Sequence, residues 1–253
     1  MTGSRTGTDG PHPQYVLTIV DSDKFAEGVE KLFPEVDWDE PVFVQSQRIP
    51  AHDAALDSLK ARGLVYACFC TRADIAQSLT APHGDAASSY PGTCRGLPDD
   101  PERRSTMPHC WRLDSAKALE LAGSPTWTEA DGARFAGSPN QIGDAILARK
   151  DAPASYHLAC VVDDAAAGVT LVVRGADLRP STPTQRLLQM LLGLPQPTYL
   201  HHPLVTHLDG RRLAKRDLAP TLAAMREGGV DGPGFAARLS TGLLPAGFRL
   251  QDA

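Results

Sequence analysis

No stretch of this 253-residue chain approaches the ~18 consecutive apolar residues that a helical membrane span requires, and that class is excluded. The opening residues Met1 to Pro13 lack the apolar core of a secretory signal, so a cytoplasmic chain is expected. Positive charge is also scarce. Against 30 Asp and Glu stand 25 Lys and Arg, a net charge of −5, which argues against indiscriminate coating of nucleic acid and leaves only local basic patches to meet a polyanion. There is no Gly-rich phosphate loop of the Walker or dinucleotide type, no serine-hydrolase elbow and no paired-histidine zinc helix. With 22 Gly and 21 Pro and no collagen period, the composition is that of a globular protein, long enough for one large domain or two small ones.

The five cysteines are an odd number in a chain read as cytoplasmic, which disfavours a disulfide framework. Cys68, Cys70 and Cys94 fall close together. Leu64 to Cys70 reads as extended chain, which sends the sulfurs of Cys68 and Cys70 to one side under the two-residue period. Residues 80–108 are rich in Pro, Gly, Ser and Asp, and a metal would order them. A closed zinc site needs four ligands. Cys94 is the third, and spacing leaves the fourth open among Tyr90, His83, His109 and Cys110. Cys160 lies inside an apolar run, Leu158 to Val162, that reads as a core strand.

Residues 1–14 read as a flexible arm. A strand over Tyr15–Val20, a helix carrying Phe25, Val29 and Leu32, and a strand over Pro41–Ser46 follow. Next comes a helix opening at Pro50 and closing at Gly63, with Ala55, Leu56 and Leu59 inward. Strands are predicted at 145–148, 158–162 and 169–173, then a helix from the cap Thr182 through Pro183 and a capping-box Gln185 to Gly193. Strands mixed with helices give an α/β protein. Arg174-Gly-Ala-Asp177 ends a predicted strand, where α/β sheets bind ligands. Arg174 can pair with a carboxylate there, or with Asp177, and Tyr156 can add a hydroxyl. Arg211, Arg212, Lys215 and Arg216 follow the turn-forming Asp209-Gly210 and suit phosphate, although a solvated basic turn has the same composition.

In this order, Cys68-Phe-Cys70-Thr-Arg, Tyr90-Pro-Gly-Thr-Cys94-Arg, Tyr156-His-Leu-Ala, Val173-Arg-Gly-Ala-Asp-Leu-Arg-Pro-Ser-Thr-Pro-Thr-Gln185, Tyr199-Leu-His-His-Pro-Leu204 and Arg211-Arg-Leu-Ala-Lys-Arg216 resemble the glutamyl-queuosine tRNA(Asp) synthetases. The resemblance implies a Rossmann-like class I synthetase module over 15–253, a zinc-binding insertion at about 68–145 and no anticodon-binding domain. It implies Zn2+ on Cys68, Cys70, Tyr90 and Cys94, and glutamate contacts from Tyr156 and Arg174. A KMSKS-type loop at 211–217 would carry the catalytic Lys215, with Arg212 and Arg216 beside it on ATP. L-Glutamate, ATP with Mg2+ and tRNA(Asp) are the implied partners of a monomer.

The HIGH signature and its Pro-Ser-Pro-Thr-Gly segment have no counterpart, so the first strand and helix of the fold are expected to be missing. Thr18-Ile19-Val20-Asp21 stands where the family has Arg-Ile-Glu-Asp. Two readings follow: a ligase that moves glutamate to queuosine, and an inactive zinc-containing protein that binds tRNA or regulates.

Overall fold

The computed structural model describes residues 44–71, 73–75, 90–137, 142–149, 153–211, 213 and 221–251. The arm, the strand at 15–20 and the helix carrying Phe25 to Leu32 lie outside the described residues. The chain divides into two compact units, Met1–Val172 with Pro180–Leu200, and Val173–Arg179 with His201–Ala253.

In the first unit, Pro50 sits in the first turn of helix α1 (Ile49–Ala61), where a missing N–H costs nothing, and Gly63 takes a positive φ just beyond its end. Leu56 and Leu59 are buried as predicted, joined by His52. Strand β1 (Val65–Cys68) follows. A short helix α2 (Pro101–Thr106), capped by the Asp100 carboxylate, leads to strand β2 (Cys110–Leu113) and helix α3 (Ser115–Ala122), capped by Asp114. Strands β3 (Thr126–Thr128) and β4 (Arg134–Ala136) form a hairpin, and β5 (Ile146–Arg149) pairs antiparallel with β2. The resulting sheet has the order β1-β2-β5. Its apolar side and the helices around it enclose Leu59, Leu64, Leu113, Leu147, Leu158, Val161, Leu187 and Leu188. At ~25 cal/mol per Å2 of apolar surface this burial is the main force holding the unit together.

Residues 158–162 form not a strand but the middle of helix α4 (Tyr156–Ala166). The pair Val161-Val162 suggested a strand, but the residues buried together are Leu158 to Val161 and Asp163, which is no two-residue alternation. The run Ala165–Ala167 before Gly168 supplies the helix propensity. Buried Asp163 then draws in Gln45 (3.1 Å), Arg48 Nε (2.6 Å) and His52 Nε2 (2.9 Å). The predicted strand over 41–46 is overturned in its described part, because Gln45–Arg48 is a 3-10 turn that aims both side chains at this carboxylate.

Strand β6 (Leu171–Gly175), a 3-10 turn (Ala176–Ser181), helix α5 (Thr182–Leu192) and strand β7 (Thr198–His202) come next. The α5 boundaries match those predicted, with Pro183 in its first turn and Gly193 left-handed after it. Its cap position is Ser181 rather than Thr182, and the Gln185 side-chain amide donates to Cys160 Sγ at 3.1 Å. β6 and β7 pair across this helical connection. Thr198 N–H, at the start of β7, donates to Thr170 O beside the start of β6 (2.8 Å), so the two strands run in the same direction. Glu129 makes a parallel bridge to Tyr199. Parallel pairing of the Rossmann kind is thus confined, among the described residues, to β6, β7 and that bridge; β1-β2-β5 is antiparallel.

The second unit contains strands β8 (Leu204–His207) and β9 (Phe248–Gln251), paired antiparallel, and helices α6 (Leu222–Glu227) and α7 (Gly232–Ser240), capped by Thr221 and Asp231. Among the described residues no helix is long and apolar enough to cross a membrane.

Candidate metal centre

The end of β1 delivers Cys68, and Cys70 lies two residues on. Cys94 arrives from the turn after Tyr90, which Gly92 closes with a φ of 83° and an Arg95 N–H to Gly92 O bond of 2.8 Å. The three sulfurs lie within 4.8 Å of one another. Cys70 and Cys94 Sγ are 3.5 Å apart, and the Tyr90 phenol oxygen stands 3.3 Å from Cys68 Sγ and 3.5 Å from Cys70 Sγ. In a regular tetrahedron with Zn–S of ~2.3 Å and Zn–O of ~2.0 Å, sulfurs sit ~3.8 Å apart and sulfur and oxygen ~3.5 Å apart. The Tyr90 oxygen's distances to Cys68 and Cys70 and the Cys70–Cys94 separation lie within about 0.3 Å of these values.

The same geometry sorts the fourth-ligand candidates. Tyr90 is buried and its oxygen also accepts the Cys94 N–H at 2.9 Å. Cys110 is the register partner of Cys68 across β1 and β2 but stands outside the cluster of three sulfurs. His109 uses Nδ1 on Met107 O (3.2 Å) and lies edge-on to Trp111. His83 lies outside the described residues.

The thiols are unequal. A hydrogen bond from Cys110, against the upward push of burial, draws Cys68 well below the ordinary thiol range; burial pushes Cys70 and Tyr90 up. A divalent ion in the cluster would reverse that push, because metal ligation deprotonates thiols and phenols.

Two buried residues that the sequence did not flag hold the cluster in place. The Arg112 guanidinium lies 3.9 Å from the centre of the Tyr90 ring and gives Nη1–H to Asp144 O at 2.7 Å. Asp144, only 2 % exposed, accepts from Ser115 N–H (3.1 Å), Ser115 Oγ (2.6 Å), Arg95 Nε (2.8 Å) and the Tyr66 hydroxyl. Burial raises its pKa, yet the bonds from Ser115, Tyr66 and Arg95 win and hold the carboxyl below the usual range. Arg95 follows Cys94 directly, so this carboxylate ties the ligand turn to β5 and α3. Nothing in the sequence pattern marks either residue, since both roles depend on side chains brought together from distant positions.

Tyr156 is the first residue of α4 and exposed, with its ring 5.8 Å from that of His157. In the second unit, buried Arg174 donates Nε–H to His201 Nε2 at 3.0 Å. His201-His202 is thus a hydrogen-bonded pair on a strand: His202 Nδ1 donates to Pro203 O (2.9 Å). Asp209-Gly210 makes the predicted turn, with Gly210 at a φ of 88° and Arg211 Nε on Asp209 Oδ2 (2.7 Å). Arg212, Lys215 and Arg216 lie outside the described residues.

Comparison with known proteins decides the family. Residues 22–243 match the model for the catalytic domain of class I tRNA synthetases (E and Q). The chain belongs to this family. It is 43 % identical over 224 residues to the glutamyl-Q tRNA(Asp) synthetase of Nocardia farcinica, covering 85 % of this chain and 70 % of that one. Against the glutamyl-Q tRNA(Asp) synthetase of Geobacter sulfurreducens it is 46 % identical over 200 residues, 77 % of this chain and 61 % of the relative. A glutamate-tRNA synthetase crystal structure from Elizabethkingia anophelis superposes with a TM-score of 0.59 at 21 % identity, over 77 % of this chain and 42 % of that chain. This last likeness speaks to the fold alone. The class I synthetase fold inferred from the motifs thus stands, and the chain spans about 60–70 % of the length of these curated relatives.

Proposed function

We propose that this class I synthetase domain activates L-glutamate with ATP, releasing pyrophosphate, and transfers the glutamyl group to the queuosine base of tRNA(Asp). The observation that carries the proposal is the four-donor cluster of Cys68, Cys70, Tyr90 and Cys94, in a chain 43 and 46 % identical to two relatives named for that activity. These four residues would hold Zn2+. With all four coordination positions supplied by protein, the ion's contribution would be structural, ordering the insertion at about 68–145.

The chemistry falls to other residues. Arg174, charged, buried and fixed by His201, offers a guanidinium to a glutamate carboxylate, and Tyr156 adds a hydroxyl. Adenylate formation concentrates negative charge on the ATP phosphates, which Mg2+ accompanies. Lys215, flanked by Arg212 and Arg216 in the loop at 211–217, lowers the barrier by meeting that charge as it develops. Glutamate-dependent exchange of pyrophosphate into ATP tests the proposal. Exchange is expected in the wild type and lost in Lys215→Ala; a chain that binds tRNA(Asp) but shows no exchange would instead be an inactive tRNA-binding protein.

A further inference from the structure

Arg174 is the next-to-last residue of β6 and His201 the next-to-last of β7. The two strands are neighbours in one sheet, so both side chains stand at its carboxyl end, where α/β sheets bind ligands. Both are buried, at 9 % and 7 % exposure. The backbone beside Arg174 is closely packed: a Cβ on Gly175 would overlap the Asp177 carboxylate and come within 2.9 Å of Leu204 Cδ2. What remains to be fixed is the long side chain itself, and the bond from Arg174 Nε–H to His201 Nε2, 3.0 Å long, fixes its outer end.

This bond defines the state of the histidine. A guanidinium offers only N–H donors and does not give up its proton, so the Nε2 that faces it is an unprotonated acceptor. His201 is therefore the neutral ring, with its proton on Nδ1. With Nε engaged, a carboxylate meets the guanidinium fork end-on, through the two Nη atoms, rather than side-on. A neutral acceptor also satisfies the buried N–H without cancelling the positive charge. A carboxylate in place of the ring would hold Nε equally well, but its negative charge would compete with a substrate carboxylate for the same cation, where little water screens either.

We propose that His201 is a positioning residue for glutamate recognition, an uncharged acceptor that fixes the Arg174 guanidinium and leaves its charge to the substrate carboxylate. The inference rests on the ligase proposal, in which Arg174 meets glutamate, and adds the residue that acts through Arg174 and the neutrality on which that action depends. The test is glutamate-dependent exchange of pyrophosphate into ATP by the full zinc-loaded chain, with KM for glutamate, KM for ATP and kcat measured for three substitutions at one position. His201→Leu leaves the Arg174 Nε–H without this acceptor and should raise KM for glutamate about tenfold or more. His201→Gln supplies a neutral carbonyl oxygen of similar reach and should bring that KM back to within about threefold of the wild type. His201→Glu supplies an acceptor of the same size that carries charge, and should again raise it about tenfold or more. KM for ATP should stay near the wild-type value throughout, because the lost interaction serves one substrate. A merely structural role would make the Gln and Glu variants alike. Should His201→Glu fail to fold in a thermal melt, the other pair decides: rescue by Gln supports the proposal and its absence overturns it. Equal KM for glutamate in the Gln and Glu variants, or a wild-type KM in His201→Leu, would overturn the role of His201 and leave the ligase proposal standing. A wild type without exchange would overturn the ligase proposal itself.

Discussion

Replacing Tyr90 by Phe removes one oxygen and leaves the ring under Arg112, so the substitution isolates what that oxygen does. In the structure it accepts the Cys94 N–H at 2.9 Å and stands 3.3 and 3.5 Å from two sulfurs. Losing the hydrogen bond leaves a buried N–H without its acceptor, a cost of ~1–3 kcal/mol in the metal-free protein. The larger loss falls on the metal. Outer-shell groups around zinc are worth ~10–100-fold in affinity, and a ligand is worth more, so Tyr90→Phe should weaken zinc by more than ~100-fold. Competition with a chromophoric chelator measures this directly. Cys110→Ala is the matched control and should bind one zinc per chain, because Cys110 touches Cys68 from outside the donor set. Wild-type affinity in Tyr90→Phe, with zinc lost from Cys110→Ala, would refute the assignment and make Cys110 the fourth ligand.

Asp144→Asn keeps the side chain's shape but removes the charge that Arg95, Ser115 and Tyr66 converge on. It should cost ~3–5 kcal/mol, seen as a fall of roughly 8–15 °C in the thermal midpoint, and should also weaken zinc by loosening the turn at Cys94. Because the Asp144 pKa is depressed in the folded protein, its contribution is complete above the unfolded value near ~4 and disappears as pH falls through the lower folded value. Acid denaturation of the wild type compared with Asp144→Asn should show that difference vanish at low pH. Leu147→Ala, in the middle of the core, should cost ~2–5 kcal/mol in a urea titration at unchanged slope. A shift under 1 kcal/mol would mean the core does not lie between β5 and the helices. Arg112→Met should preserve the fold but weaken zinc by about tenfold or more, read by the same chelator competition.

Local chemistry was legible wherever it punctuates the chain. Pro50 and Gly63 bracket α1, Pro183 and Gly193 bracket α5, and Cys68, Cys70 and Cys94 converge as their spacing suggested, with Tyr90, which only the family pattern singled out, beside them. Reading failed where tertiary context outweighed a local signal. Val161-Val162 favours a strand, but the alanines around it and the buried face shared with Leu158 make α4 a helix. Residues 45–48 turn because Asp163, more than a hundred positions away, needs donors in the interior. Arg112 and Asp144 were invisible for a related reason: each is a single charged residue whose role exists only after β2, β5 and the ligand turn have met.

The most direct test of the central claim is the attachment of labelled glutamate to tRNA(Asp). With ATP present, label should enter tRNA that contains queuosine, persist when the 3′-terminal adenosine has been removed, and be absent from tRNA(Asp) lacking queuosine. Label that depends on the 3′ end, or no label with an intact zinc-loaded chain, would contradict the account.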